Sequence, residues 1–284
     1  MRRNLIRLLL GMVAPTLLAG CAGMDYVSVA TVAAKTVPKV AQASRPISDS
    51  EEYYVGRAVA ARVLTTYPLY QDKELTLYVN EVGQAVARKS SRPNTFRGYH
   101  FAVLDTTEVN AFACPGGTIF ITRGLLKTCA NEDELAAVLA HETAHVANKD
   151  GVNSISKARW TEVATTLGTE AAKQYAGAAG SLVTLFEGSI DDVFKTIVVN
   201  GYSRTAEEAA DAAAVATLSR AGYDPGAMAA LLTKMTAQEK GGSGIYKTHP
   251  PTSERLAKVK AQGGEGKPSP EMAARTKRFQ SQKL

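Results

Sequence analysis

The chain has 284 residues, long enough for one sizeable core or one domain with appendages. Its 45% hydrophobic and 21% charged residues are the proportions of a soluble globular protein and exclude general disorder. The net charge of +6 drops to +3 if a leader carrying Arg2, Arg3 and Arg7 is removed, and no Lys/Arg run or stacking aromatic cluster points to nucleic acid.

The N-terminus reads as an address. "MRRN" is basic, "LIRLLLGMVAPTLL" is apolar but broken by Arg7, and "LAGC" brings small residues up to Cys21. The stretch is too short and too interrupted for a permanent membrane-spanning helix. Leu18-Ala19-Gly20-Cys21 resembles the bacterial lipobox, which implies cleavage before Cys21 and acylation of that residue, with enough lipid for stable attachment. Ala22 in place of Asp then implies the outer membrane, with the protein facing the periplasm. The alternative is an ordinary secretory leader in which Cys21 is incidental. Of the other cysteines, Cys114 and Cys129 form an even pair that an oxidising compartment permits to bridge; otherwise they are two small buried thiols.

Residues 1–20 are thus expected to be a lipoprotein signal peptide, 21–49 a tether, 50–262 the folded domain and 263–284 a tail, mostly loop with a short basic helix at its end. Helical patterns run from Ser50 to Thr66, stopped by Pro68, and from Lys73 to Lys89. Gly98 to Asp105, Asn110 to Cys114 and Thr118 to Thr122 have strand character, the last two separated by the turn Pro115-Gly116-Gly117. "RGLLKTC" suits a short helix. The following helix starts with Asn131 as N-cap, Glu134 at the capping-box position, and Glu132 and Asp133 at the positive helix end. Leu135, Val138, Leu139 and Ala144 give it an apolar face. Residues 151–200 have mixed helical patterns best read as scaffold. "SRTAEEAADAAAVATLSRAGYDP" is a strong helix ending at Gly222, followed by "GAMAALLTKMTAQ", a glycine-rich loop, a Pro-Pro corner and one more helix. There are no internal repeats.

Chemistry concentrates in "LAAVLAHETAHVANKD", Leu135 to Asp150. Residues four apart share a helix face, so His141 and His145 can turn two neutral imidazoles towards one Zn²⁺. Glu142, one step round, can reach a water on that ion and accept its proton. A catalytic zinc takes three protein ligands and keeps one position open. The candidate acids are Glu162, Glu170, Glu187, Asp191, Glu207, Glu208 and Asp211. Glu207 and Asp211 are themselves four apart, so one can ligate while the other accepts a ring N–H from a ligand histidine; Glu207 is favoured as the ligand. Glu208 points elsewhere, and His100 in its strand reads as structural.

Five blocks occur in order: "NAFACPGGTIFITRGLL", "ELAAVLAHETAH", "YSRTAEEAAD", "AGYDP" and "THPPTSERL". Over roughly Ser50 to Ala261 they resemble the zinc metalloendopeptidases related to the CAAX prenyl proteases, HtpX and the Oma-type proteases, peptidase family M48. The resemblance implies an α+β fold, a mainly α-helical zincin of the gluzincin type with a small sheet, in which the HExxH helix packs against a second helix carrying ExxxD. It implies one Zn²⁺ per chain held by His141, His145 and Glu207, with Asp211 behind them and Glu142 as general base. It also implies that Asn110, Ala111, Phe112 and Ala113 form an edge strand to which an extended substrate adds antiparallel. Two positions depart from the family pattern: Ala209 stands where Glu is frequent, and Asp150 where a further His is common.

His249, in the corner Thr248-His249-Pro250-Pro251, can stabilise an oxyanion, occupy the open zinc position and keep the site latent, or serve structure alone. Tyr202 and Arg204 are weaker oxyanion candidates. Location and family together imply cleavage of unfolded or misassembled envelope proteins, with the outer-membrane assembly machinery as a further partner and no nucleic acid. The alternative is a lipoprotein chaperone or adaptor whose metal domain mainly binds clients, for which Glu142 would have no use. A purely structural zinc is disfavoured, because three N/O ligands without Cys leave a position open.

Overall fold

Helix α1, Asp49–Thr66, begins where Ser48 and Glu51 close a reciprocal capping box, and it stops at Tyr67, where the backbone turns extended just before Pro68. These residues open the part of the chain that the computed structural model describes: 47–155, 187–238, 245–250, 252–263 and 269–282. Cys21, nearly all of the tether and residues 156–186 lie outside it, including Glu162 and Glu170. Helix α2, Lys73–Ala87, is capped by Asp72 and ends two residues before the sequence pattern does.

Strands β1, His100–Leu104, β2, Ala111–Cys114, and β3, Thr118–Thr122, form one sheet in the order β1-β3-β2, with β1 parallel and β2 antiparallel to β3. Side chains alternate across the sheet. Phe101, Val103, Ile119 and Ile121 face a core shared with α2, while Phe112, Phe120 and Cys114 face α1. The outer edge of β1 is closed by side-chain amides of α2. Asn80 Oδ1 accepts the Phe101 N–H at 3.0 Å while its Nδ2 donates to the Phe101 carbonyl, and Gln84 donates to the Tyr99 carbonyl at 2.6 Å. These bonds mimic a fourth strand and blunt that edge.

After the short helix α3, Arg123–Thr128, comes α4, Glu132–Ala147. Its expected single apolar face turns out to be too little: every residue of α4 except Ala147 is buried. Charge can be buried there because other elements bring partners to it. Arg278 forks onto Glu132, which also accepts the hydroxyls of Tyr78 and Tyr223. Arg275 forks onto Asp133, and Lys234 reaches Glu134 at 2.7 Å.

A short helix α5, Asp150–Asn153, follows α4 after Lys149, the one non-glycine residue with positive φ (60°) among those described. Then come α6, Glu187–Phe194, continued by a π-helical turn at Lys195–Asn200; α7, Arg204–Ala221; α8, Ala227–Gln238; α9, Ile245–Thr248; α10, Ser253–Gly263; and α11, Pro270–Gln280. Ser203 caps α7 and Gly222 ends it in the left-handed conformation. The fold is the expected mainly helical α+β architecture with a small sheet, and α7 packs along α4. The tail differs from expectation. Its helix α11 is docked, with Phe279 buried and its two arginines set against the start of α4. Cys114 and Cys129 are both buried and free, as two small core thiols. Burial raises both thiols, Cys129 to about 12, so they stay protonated.

Helix α1 meets the β2–β3 turn at Gly56. A Cβ built there would lie 1.7 Å from the Pro115 carbonyl oxygen, and Glu52 beside it accepts the Gly116 N–H at 3.1 Å. The contact is between two backbones, so neither side can yield by changing rotamer. Gly56→Ala is therefore expected to lower stability by about 3 kcal/mol, read as a lower urea midpoint at unchanged slope. An unaltered midpoint would refute this packing.

Candidate metal centre

The two central helices carry the polar residues of the site on facing turns. Helix α4 presents His141, Glu142 and His145, and α7 presents Glu207 and Asp211; all five are at most 5% exposed. Alanines line the approach, with Ala136, Ala137, Ala140 and Ala144 buried on α4 and Ala210 and Ala214 on α7. Side chains this small allow close packing of helices. Close packing in turn lets a short carboxylate on one helix reach imidazoles on the other.

The donor atoms converge. His141 Nε2 and His145 Nε2 are 3.1 Å apart, and each lies 3.4 Å from an oxygen of Glu207. His249 arrives from the corner after α9, with Nδ1 2.9 Å from Glu207 Oε1 and 3.3 Å from His141 Nε2. One ligand atom from each of His141, His145, Glu207 and His249 falls within a common 4.8 Å. Tetrahedral ligands around zinc at 2.0–2.1 Å are about 3.3 Å from one another. The residues present thus fit a divalent metal ion in both spacing and donor type.

Each helix histidine is oriented from behind. His141 Nδ1 is 3.0 Å from Asp211 Oδ1, and His145 Nδ1 is 2.8 Å from Asp150 Oδ2. Carboxylates in these places hold the proton on Nδ1 and leave the Nε2 lone pair facing inward. Asp150 was not expected to take part. Its residue type differs from the histidine common in similar proteins, but a carboxylate at the first position of α5 does this work.

Electrostatics couples these imidazoles to the acids around them. Burial pulls the His141 imidazolium down, but hydrogen bonds with Asp211 and Glu207 outweigh it and raise the ring to about 10. Burial likewise opposes protonation of His145, yet its bonds to Asp150 and Glu207 hold it above its ordinary value. Burial raises the Glu207 carboxyl, while the charge of His249 and hydrogen bonds from the three imidazoles bring it well below the usual range. Imidazoles bind a metal ion in their neutral form, so binding here would be proton-linked.

Arg255 is the second residue that the sequence did not single out. Only 2% exposed, it forks onto Asp211 through Nε (2.7 Å) and Nη2 (2.8 Å), and its Nη1 lies 2.9 Å from Glu207 Oε2. Burial would raise Asp211, but Arg255 and His141 keep it below its ordinary value. A signal was available. Arg255 sits in the first turn of α10, where the helix dipole disfavours a cation unless acids hold it.

Glu142 is 1% exposed, its Oε2 has no hydrogen-bond partner among the described residues, and its Oε1 is 3.8 Å from His249 Nε2. Tyr202 stacks on the ring of His145 at 4.2 Å, with its own hydroxyl buried and unpartnered among those residues. The other candidates lie elsewhere. Arg204 is 71% exposed and faces Glu254, Glu208 pairs with Lys258, Asp191 pairs with Arg62, and His100 is exposed and bonded to the Arg97 carbonyl.

Strand β2 is an edge of the sheet, as expected, but its four residues are all buried, and the Lys195–Asn200 turn packs beside it. Asn110 accepts the Thr122 N–H, so Asn110 and, by alternation, Phe112 turn their backbone groups towards β3. Only Ala111 and Ala113 turn theirs outward. The Ala111 N–H is taken by the Asn110 side chain at 2.9 Å.

A model of peptidase family M48 matches residues 73–262, which takes in both central helices and the His249 corner. The chain belongs to peptidase family M48. Its mainly helical fold with a three-stranded sheet brings His141, His145 and Glu207 together in a zincin-like cluster. It is 27% identical to the beta-barrel assembly-enhancing protease of Escherichia coli (strain K12) over 248 residues, covering 83% of this chain and 48% of the relative. The protein of that name from Yersinia pestis is 27% identical over 237 residues, 80% of this chain and 47% of the relative. The mitochondrial metalloendopeptidase OMA1 of Schizosaccharomyces pombe is 31% identical over 195 residues, 65% of this chain and 52% of the relative. The M48 chain described here spans about half the length of the curated relatives it matches.

If Asp150 orients His145 for an ion, Asp150→Asn should weaken zinc binding about 10- to 100-fold without unfolding the chain. Competition with a chromophoric chelator measures this. Parent-like affinity would show that the contact is incidental.

Proposed function

We propose that this M48 protein is a zinc metalloendopeptidase, one ion per chain, with His141, His145 and Glu207 as ligands, Asp211 and Asp150 orienting the two imidazoles, and Glu142 as general base. The observation that carries the reading is the unpartnered, buried Glu142 Oε2 beside four convergent ligand atoms. A purely structural centre has no use for a free carboxylate at that place. When bound, the metal supplies Lewis acidity that brings a coordinated water's pKa towards 7. Glu142 takes the proton at Oε2 and delivers it to the leaving amine nitrogen as the peptide bond breaks. The outward N–H and C=O of Ala113 and the C=O of Ala111 hold the extended substrate in register. Burial of β2 means that its cover has to move first.

His249 fits the latent role better than the oxyanion role. Its Nδ1 joins the ligand cluster itself, only 2.9 Å from Glu207, so the imidazole stands where the fourth position would be. In this reading the enzyme rests closed, and activity reflects the fraction of molecules in which the corner has withdrawn.

The substrates we propose are unfolded or misassembled envelope proteins, reached from the periplasmic face of the outer membrane, with the protein acylated at Cys21 and working beside the outer-membrane assembly machinery. Support comes from the lipobox-like "LAGC" and from the names of the bacterial relatives. The proposed lipid attachment rests on that lipobox-like segment; no helix among the described residues is long and apolar enough to cross a membrane.

Cleavage of unfolded casein by the parent and by Glu142→Gln, with zinc measured on both, tests the assignment. Glu142→Gln should keep its zinc and lose at least about 10²-fold in kcat/KM, the usual contribution of a general base. Equal cleavage by both would remove Glu142 from the mechanism. His249→Ala should raise kcat/KM about tenfold, the factor expected if roughly a tenth of the molecules are open. A fall instead would favour the oxyanion role. A client-binding protein that does not cut would show zinc in both forms, cleavage in neither, and a cellular role that survives Glu142→Gln.

A further inference from the structure

The guanidinium of Arg255 does more than neutralise acids. Besides its fork onto Asp211, its Nη1 donates to the Pro250 carbonyl at 2.9 Å while standing 2.9 Å from Glu207 Oε2. Pro250 follows His249 directly, and His249 Nδ1 is 2.9 Å from the other oxygen of Glu207. The contacts close a ring: Glu207 Oε1 to His249, along the chain to Pro250, through Arg255, and back to Glu207 Oε2. Both oxygens of the acid are engaged by the same corner, one through an imidazole and one through a buried cation. The corner is also fixed at its start, where the Ile245 N–H donates to the Val109 carbonyl at 2.9 Å. Between that bond and the Pro250 carbonyl, the chain carries His249 directly after the single turn of α9, Ile245–Thr248.

We propose that Arg255 is a positioning residue that holds His249 over the ligand cluster by bracing the Pro250 carbonyl against Glu207 and Asp211. This rests on the reading of His249 as occupant of the fourth position. Withdrawal of the corner parts His249 from Glu207 and His141 but, of the contacts of Arg255, breaks only the Nη1 bond to Pro250, so the fork onto Asp211 stays while the imidazole leaves. A planar guanidinium is suited to this, because its five donors are fixed in direction and can serve two carboxylates and a carbonyl at once. Lysine offers the charge without the fork. Arg255→Lys therefore separates bracing from neutralisation.

The test is a double-mutant cycle of Arg255→Lys with His249→Ala, read by kcat/KM on unfolded casein, together with hydrogen exchange of residues 245–250 in metal-free protein. Bracing predicts that removing His249 gains about tenfold in the parent but under about twofold in Arg255→Lys, because there the corner is already loose. It also predicts that exchange at 245–250 rises at least about tenfold in Arg255→Lys while residues 135–140 of α4 keep their protection. Equal gains in both backgrounds, or unchanged exchange, would overturn the proposal. No gain in the parent would sink the latency reading instead, and the exchange result would then decide the bracing role by itself. If Arg255→Lys does not fold, Asp211→Asn in the His249→Ala background, compared with His249→Ala alone, serves as the second probe, since without the imidazole Asp211 reaches the corner only through Arg255. Faster exchange at 245–250 than in His249→Ala alone supports bracing, and equal exchange contradicts it.

Discussion

Everything in the site depends on the close crossing of two alanine-rich helices. Glu207 has two methylene groups of reach, and it must touch imidazoles mounted on another helix. Buried alanines on both helices, Ala137, Ala144, Ala210 and Ala214 among them, are small enough to permit such an approach. Polar residues four apart on each helix then meet as two short rows, with His141 and His145 opposing Glu207 and Asp211. Local helix geometry sets the spacing within each row, and small-residue packing sets the spacing between rows.

A helix buried all round is ordinarily apolar, yet α4 begins with three acids. Each of them would cost several kcal/mol if left buried without a partner. The molecule meets this with cations from helices distant in sequence, Lys234 from α8 and Arg275 and Arg278 from α11. The other end of α4 is held as well, where Arg92 joins Glu52 on α1 and donates to the Val146 carbonyl. Pinned at both ends, α4 holds His141 and His145 in place, and in the proposed mechanism the corner bearing His249 and the cover on β2 are the parts that move. The division between a fixed pair of helices and movable covers is what a gated metal site requires.

How much of this was legible in the sequence follows from distance along the chain. The histidine pair, Glu142 and the Glu207/Asp211 pair could be read because spacing on a single helix determines them. The Asn131 cap and the Pro115-Gly116-Gly117 turn are equally local. Asp150 was noticed only as a departure from a family pattern, because its part is fixed by the bend at Lys149, which composition does not reveal. Arg255, the docking of α11 and the burial of α4 on every side depend on elements far apart in sequence, 44 residues for Arg255 and Asp211 and 146 for Arg278 and Glu132. The two thiols illustrate the same limit: an even count permits a bridge, but only the fold shows Cys114 and Cys129 buried singly in its core.

The central claim is that four side chains from α4, α7 and the corner after α9 share one metal ion in the resting protein. X-ray absorption at the zinc edge, on the zinc-loaded chain and on His249→Ala, tests it most directly. The account predicts a first shell of nitrogen and oxygen near 2.0–2.1 Å, with scattering from three imidazoles in the parent and two in the variant. A two-imidazole centre in the parent, or a sulfur shell near 2.3 Å, would contradict it.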